Sequence, residues 1–228
     1  MKRRSLCDIL VLTLLLIGSQ WVGAANTDSI YQGTIIKLDL ASPIVVPAAT
    51  KWQIQHYEVA ANVRLAQRFY PTFELGYAGG RTTEGDSVGY NGHGGFFRVG
   101  CDINPFKKHP ESPHALLVGV RLGTAVQGMR QGRPLELGHP YKVQADCWGE
   151  IVAGCQVDIW DCRRARKEGA EDKIIGSLYM GWMGRLKCLF TRQADGVPVE
   201  SKYAIYIPGF GVRNNIGWGV NYYIGWKL

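Results

Sequence analysis

Residues 115–127 read Ala-Leu-Leu-Val-Gly-Val-Arg-Leu-Gly-Thr-Ala-Val-Gln. In an extended chain, Leu116, Val118, Val120 and Leu122 fall on one side, and Gly119, Arg121 and Gly123 on the other. Side chains alternate across a strand with period two, so this stretch predicts a strand with one apolar face and one face of glycine and charge. The same alternation recurs in residues 33–40, 52–69, 72–80, 96–103, 148–160, 178–191 and 218–228. Tyr57, Val59 and Val63 oppose Glu58 and Arg64; Phe73, Leu75 and Tyr77 oppose Glu74; Phe97, Val99 and Cys101 oppose Arg98 and Asp102. Ile151, Val157 and Ile159 oppose Glu150 and Asp158; Met180, Leu186 and Cys188 oppose Arg185 and Lys187. The eight apolar faces carry no charge.

The connections have two characters. Tyr70-Pro71 reads as a tight turn between the second and third strands, and residues 104–113 and 162–176 as moderate turns. Residues 80–95, 128–147 and 192–216 read as longer loops, with His93 at a loop tip. Alternating short turns and long loops is the asymmetry of outer-membrane barrels.

The composition agrees with strands. The chain has 228 residues, with 29 Gly, 7 Trp, 11 Tyr and 7 Phe. At 46% hydrophobic and 20% charged residues it is no disordered chain. The net charge of +7 comes from scattered basic residues, which does not favour nucleic acid as a partner.

Lys2, Arg3 and Arg4 precede an apolar run from Leu6 to Ile17, and Val22-Gly23-Ala24 supplies small residues for cleavage. Residues 1–24 therefore read as a secretory signal peptide, the alternative being an N-terminal anchor. No later apolar run approaches the ~18 residues of a spanning helix. Residues 25–228 read as one domain.

Alternation alone leaves open which face meets water. A soluble β-sandwich or lipocalin-like binding module would bury the apolar face. Three features favour the inverse. Gly76, Gly100, Gly119, Gly123, Gly154, Gly181, Gly219 and Gly225 lie on the charged face, where they would make room for a neighbouring Arg or Glu inside a narrow lumen. That face also balances Lys37, Arg64, Arg98, Arg121, Arg185, Lys187 and Lys227 against Asp39, Glu58, Glu74, Asp102, Glu150 and Asp158. An enclosed network needs such balance. Finally, Phe69, Tyr70, Phe73, Trp160 and Trp226 would mark one rim, and Tyr77, Trp148, Phe190 and Trp218 the other. The expected fold is all-β: an eight-stranded antiparallel up-and-down transmembrane β-barrel of the outer membrane, following a signal peptide. Its lumenal charge network would comprise Arg64, Arg98, Arg121, Arg185 and Lys187 with Glu58, Glu74, Asp102, Glu150 and Asp158. Membrane lipid, lipopolysaccharide and another envelope protein are the expected partners. Arg81, Arg130, Arg133 and Arg192, with Lys142 and Lys202, would sit in the outer loops against lipopolysaccharide phosphates.

The segments Phe69–Tyr77, Phe96–Gly100, Leu116–Arg121 and Tyr206–Gly211, with the glycine-rich closing strand, resemble a Bacteroidota family of uncharacterised outer-membrane-type barrel proteins. The resemblance runs over residues 50–228. It implies the same barrel, and it carries no activity and no catalytic residues.

Specific chemistry is sparse. There is no Gly-x-Ser-x-Gly elbow, no Cys-x-x-Cys pair and no zinc-type His/Cys spacing. His56 lies two residues from Glu58 on the polar face and is expected in the lumenal network. No cofactor, metal or catalytic activity is expected. A narrow anion channel lined by the arginines is the alternative function. Otherwise the expected role is structural, or one of binding and envelope-complex docking through the outer loops.

Overall fold

The computed structural model describes residues 31–49, 53–65, 68–84, 87–105, 114–132, 142–161, 177–191 and 206–228. Residues 1–24, the stretch that reads as a signal peptide, lie outside them. Eight strands close a barrel: β1 (Tyr31–Asp39), β2 (Ile54–Leu65), β3 (Phe69–Glu84), β4 (Ser87–Ile103), β5 (Ala115–Gly132), β6 (Lys142–Asp161), β7 (Ser177–Leu189) and β10 (Ile216–Lys227). Each pairs antiparallel with its neighbour around the barrel, and β10 closes on β1 through the rungs Ile35↔Lys227 to Asp39↔Tyr223. All eight alternating segments become barrel strands. The end carrying Tyr31 and Lys227 is called the near end here, and the opposite one the far end.

Several expectations about connections are corrected. Tyr70-Pro71 is no turn but part of β3, and residue 68 holds the turn. Proline is tolerated there because the ladder to β2 lapses between Asn62↔Thr72 and Leu65↔Phe69. Residues 80–95 form no long loop: β3 and β4 stay paired out to Glu84↔Ser87, and His93 is a strand residue whose ring lies tilted beside Tyr77, 6.4 Å between centroids. Glycine suggests a break, yet its backbone donors and acceptors extend a ladder like any other. Arg81, Arg130 and Lys142 accordingly belong to β3, β5 and β6. Arg133, Arg192 and Lys202 lie outside the described residues.

Two further elements occupy the far end. Helix α1 (Ser42–Ala49) follows β1 and was not anticipated. Asp39 caps its start: Oδ1 accepts the Ala41 and Ser42 amides at 3.0 and 3.3 Å, and Ser42 Oγ donates to Oδ2 at 2.5 Å. Pro43 sits in the first turn, where its missing N–H costs nothing, and Pro47 keeps the helix short. The second element is a small hairpin, β8 (Tyr206–Ile207) paired with β9 (Gly211–Val212). Its turn, with Gly209 at φ +75°, is buried inside the barrel mouth.

The two faces of the wall differ as the alternation predicts. Leu75, Leu122, Val126, Met180, Leu186, Val220 and Tyr222 are exposed on the outside. Cys101, Cys147 and Cys155 are free thiols on that side; Cys162 lies outside the described residues. Inside, two apolar layers sandwich a charged one. Tyr70, Ala115, Leu117, Val152, Met183 and Tyr223 form the layer toward the near end. Phe96, Ala125 and Trp148 meet Ile207 and Phe210 of the hairpin at the far end. Tyr70 and Trp148 are therefore interior rather than rim aromatics. Their parity settles it, since Trp148 shares a face with Glu150 and Tyr70 with Glu74.

The interior glycines make room for rings and for charged side chains alike. A Cβ on Gly123 would fall into the Trp148 indole, and one on Gly76 into the Phe96 ring; one on Gly119 would strike the Asp102 carboxylate. Gly123→Val should destabilise the protein by about 1–3 kcal/mol through overpacking, read as a lower urea midpoint. An unchanged midpoint would mean that Trp148 can move aside.

Candidate functional site

The charged layer is the most elaborated feature of the molecule. The inward face of the closed wall gathers Arg98 (β4), Arg121 (β5) and Arg185 (β7) with Glu58 (β2), Glu74 (β3), Asp102 (β4) and Glu150 (β6). Arg185 is the hub: Nη2 lies 2.9 Å from Glu58, and Nη1 lies 2.8 Å from Glu74 and 3.0 Å from Glu150. Its Nε donates to Asn221 Oδ1 at 2.6 Å, and Asn221 donates in turn to Asp39. Arg98 reaches the same three acids at 2.7–3.0 Å. Arg121 bridges Glu74 at 3.0 Å and Asp102 at 2.7 Å. Shared guanidinium–carboxylate contacts of this kind are what allows buried charges to remain ionised.

Other predicted members take different places. Lys187 is buried but turns to the hairpin, donating to the carbonyls of Gly209 and Phe210 at 2.7 and 3.0 Å. Arg98 Nη2 also holds Gly209 O, at 2.7 Å. Together these two cations fasten the plug. Lys37 sets its ammonium 4.2 Å from the Tyr223 ring centroid. Arg64 and Asp158 stand apart toward the near end, half-buried, with Arg64 over the Tyr70 ring. Lys227 is also half-buried.

The sequence reading missed a second cluster at the far end. Asp146 accepts from Gln144 at 3.0 Å and Thr191 at 2.7 Å, and pairs with Arg213 at 2.9 Å. The signal is in the sequence, since residue 146 shares parity with Trp148 and Glu150, but the alternation read from residue 148 starts six residues after β6 begins at Lys142. Among the described residues the buried cations Lys37, Arg98, Arg121, Arg185 and Lys187 face the buried acids Asp39, Glu58, Glu74, Asp102, Asp146 and Glu150. Arg213 evens the two sets.

His56 joins the network to the hairpin, with Nε2 3.4 Å from Glu58 and Nδ1 3.3 Å from the Tyr206 hydroxyl. Burial pushes the Tyr206 phenol up to about 12, so that contact keeps a neutral hydroxyl. Asp39, His56 and Glu58 bring three ligand-type atoms within 4.8 Å of one another. Their oxygens already serve Ser42, Asn221, Arg98 and Arg185, so the trio acts as a knot tying the wall, α1 and the hairpin together. A cavity of about 20 Å³ lies beside Lys37, Asn62, Glu74, Arg121 and Tyr223, room for one water.

A closed eight-stranded barrel with an apolar exterior, a paired-charge interior and a buried hairpin plug is the class this architecture defines. No curated protein and no solved structure matches the chain. The chain belongs to a family described as a domain of unknown function (DUF6048), whose model matches residues 3–130. That match takes in β1 to β4 and most of β5, and so carries Glu58, Glu74, Arg98 and Arg121 but not Arg185 or the hairpin.

Proposed function

We propose that the protein is an outer-membrane barrel of a Gram-negative, Bacteroidota-type envelope, exported by its N-terminal signal segment. It serves as a structural element or a docking platform rather than as an enzyme or a pore. The observation that carries this reading is the inversion of the wall. Leu75 and Leu122 are each 59% exposed, whereas Arg98 and Asp102 are 1% and 0% exposed. Contiguous apolar surface on that scale calls for a non-aqueous neighbour, and hydrocarbon is the neighbour that a closed barrel accepts. Lipid would cover the belt, and lipopolysaccharide phosphates would meet basic residues of the far end such as Arg81.

The test is a charge on the belt. Leu122→Arg should cost about 2–4 kcal/mol when the protein is folded into vesicles, if position 122 faces lipid near mid-bilayer. On a water-facing surface the same change should cost no more than about 0.5 kcal/mol. Fractionation with unheated and boiled gel lanes runs alongside. A protein found free in the periplasmic extract, with no mobility shift, would sink the membrane reading in favour of a soluble exported module.

The anion-channel alternative draws on the arginine cluster. Against it, Arg98, Arg121 and Arg185 are matched by carboxylates, and the hairpin fills the far mouth. The inserted protein is accordingly expected to give no unitary conductance in a planar bilayer. Anion-selective steps lost on Arg121→Ala would reverse that conclusion.

A further inference from the structure

Among the described residues, the pairing that closes the barrel covers only part of β10. β10 pairs with β7 along its whole length, from Ile216↔Cys188 to Lys227↔Ser177. On its other edge it pairs with β1 only from Tyr223 to Lys227, and the last rung is Leu40 N–H to Tyr222 O at 2.8 Å. Beyond that rung the chain leaves the wall for α1, which packs on β2.

The direction of the remaining backbone groups follows from two bonds. Tyr222 bonds toward β1, whereas Asn215 O accepts from Leu189 N on β7. In an antiparallel ladder these directions alternate residue by residue. Ile216, Trp218 and Val220 therefore aim N–H and C=O away from β7, and no described residue pairs with that edge. Their side chains are exposed on the outer face, Trp218 at 83%. Gly217 and Gly219, on the inner face, put no side chain across the gap. Ile44 and Val45 of α1 are exposed as well.

We infer that this slot is a strand-addition site for an extended segment of another polypeptide, apolar at its outward-facing alternate positions. The inference deepens the docking role proposed above and moves it from the loops to the wall. The chemistry of the edge selects the occupant. Donors and acceptors repeating every second residue are matched by an extended backbone, and aliphatic chains leave them unpaired. Lower down, the single strand β1 lies between β10 and β2. A second copy of this chain fits poorly, since its own β10 would bring β7 into the space held by α1 and β2.

Residue-resolved amide exchange on the folded protein in detergent micelles tests this directly. The probe is a capped nine-residue peptide alternating valine and threonine. Without peptide, the amides of Ile216, Trp218 and Val220 should exchange at least tenfold faster than those of Gly217, Gly219 and Asn221. Saturating peptide should slow the first set at least tenfold. The same peptide N-methylated at every second residue should not. Val220→Pro removes one N–H from the open edge and leaves the β7 ladder intact, so peptide affinity should fall at least tenfold. Trp218→Ala keeps the backbone and should keep the protection. Amides already protected without peptide would overturn the inference, with a doubled mass assigning the edge to a second copy. Amides left fast at saturating peptide would overturn it as well. These amides read out whether or not the protein partitions into membranes, so failure here is distinct from failure of the membrane reading.

Discussion

Replacing Arg185 with alanine is expected to cost about 3–5 kcal/mol of stability, enough to prevent folding of a marginal barrel. The reason is not loss of attraction alone. Arg185 serves Glu58, Glu74 and Glu150 at once, and the side chains of all three acids are 4% exposed or less. Without the guanidinium these carboxylates lose a shared counter-charge where water cannot replace it. The measurement is the urea midpoint, or the fraction of heat-shifted protein after refolding. Arg185→Met combined with Glu74→Gln should recover part of the loss by removing one stranded charge and refilling the space. An Arg185→Ala protein as stable as the wild type would show that water enters the lumen freely.

The second large effect is expected at Trp148. Its indole is 0% exposed, meets Phe210 edge-on at 5.9 Å between centroids, and donates from Nε1 to Glu150 at 2.6 Å. Trp148→Ala should cost about 3–5 kcal/mol through the cavity it opens. It also removes the floor on which the hairpin plug rests. Limited proteolysis should then cut near residues 206–212 in the variant and spare them in the wild type. Trp148→Phe should restore most of the packing but not the bond to Glu150. Equal resistance of all three proteins to cleavage would separate the plug from this ring.

Most of the wall was legible in the sequence because one rule governs it. Parity along each strand assigns Glu58, Glu74, Arg98, Arg121, Glu150 and Arg185 to one side, and closure brings that side together. Rules about residue type misled where they competed with parity. Tyr70 and Trp148 were assigned to the rims on aromatic preference, though their numbering already placed them with the charges. Glycines 92, 94 and 95 suggested a loop, yet backbone pairing runs straight through them. Helix α1 and the hairpin were not legible, for a different reason. α1 is an eight-residue apolar run with two prolines and no helical periodicity to read. The hairpin has two-residue strands, and it is held by Arg98 and Lys187, which no local pattern connects to Gly209.

The span of the Arg185 bonds has a consequence for how the barrel comes to exist. Its partners lie 127, 111 and 35 residues away along the chain. A half-built sheet of β2 to β4 would carry Glu58, Glu74 and Asp102 with Arg98 as their nearest inward cation, and would lack the hub altogether. In the membrane reading such an intermediate would present bare charge to hydrocarbon, at a cost of several kcal/mol per group. Assembly one hairpin at a time is thereby penalised at every stage before β7 arrives. In that reading insertion and ring closure would be a single concerted event, its barrier set by the slow meeting of distant segments.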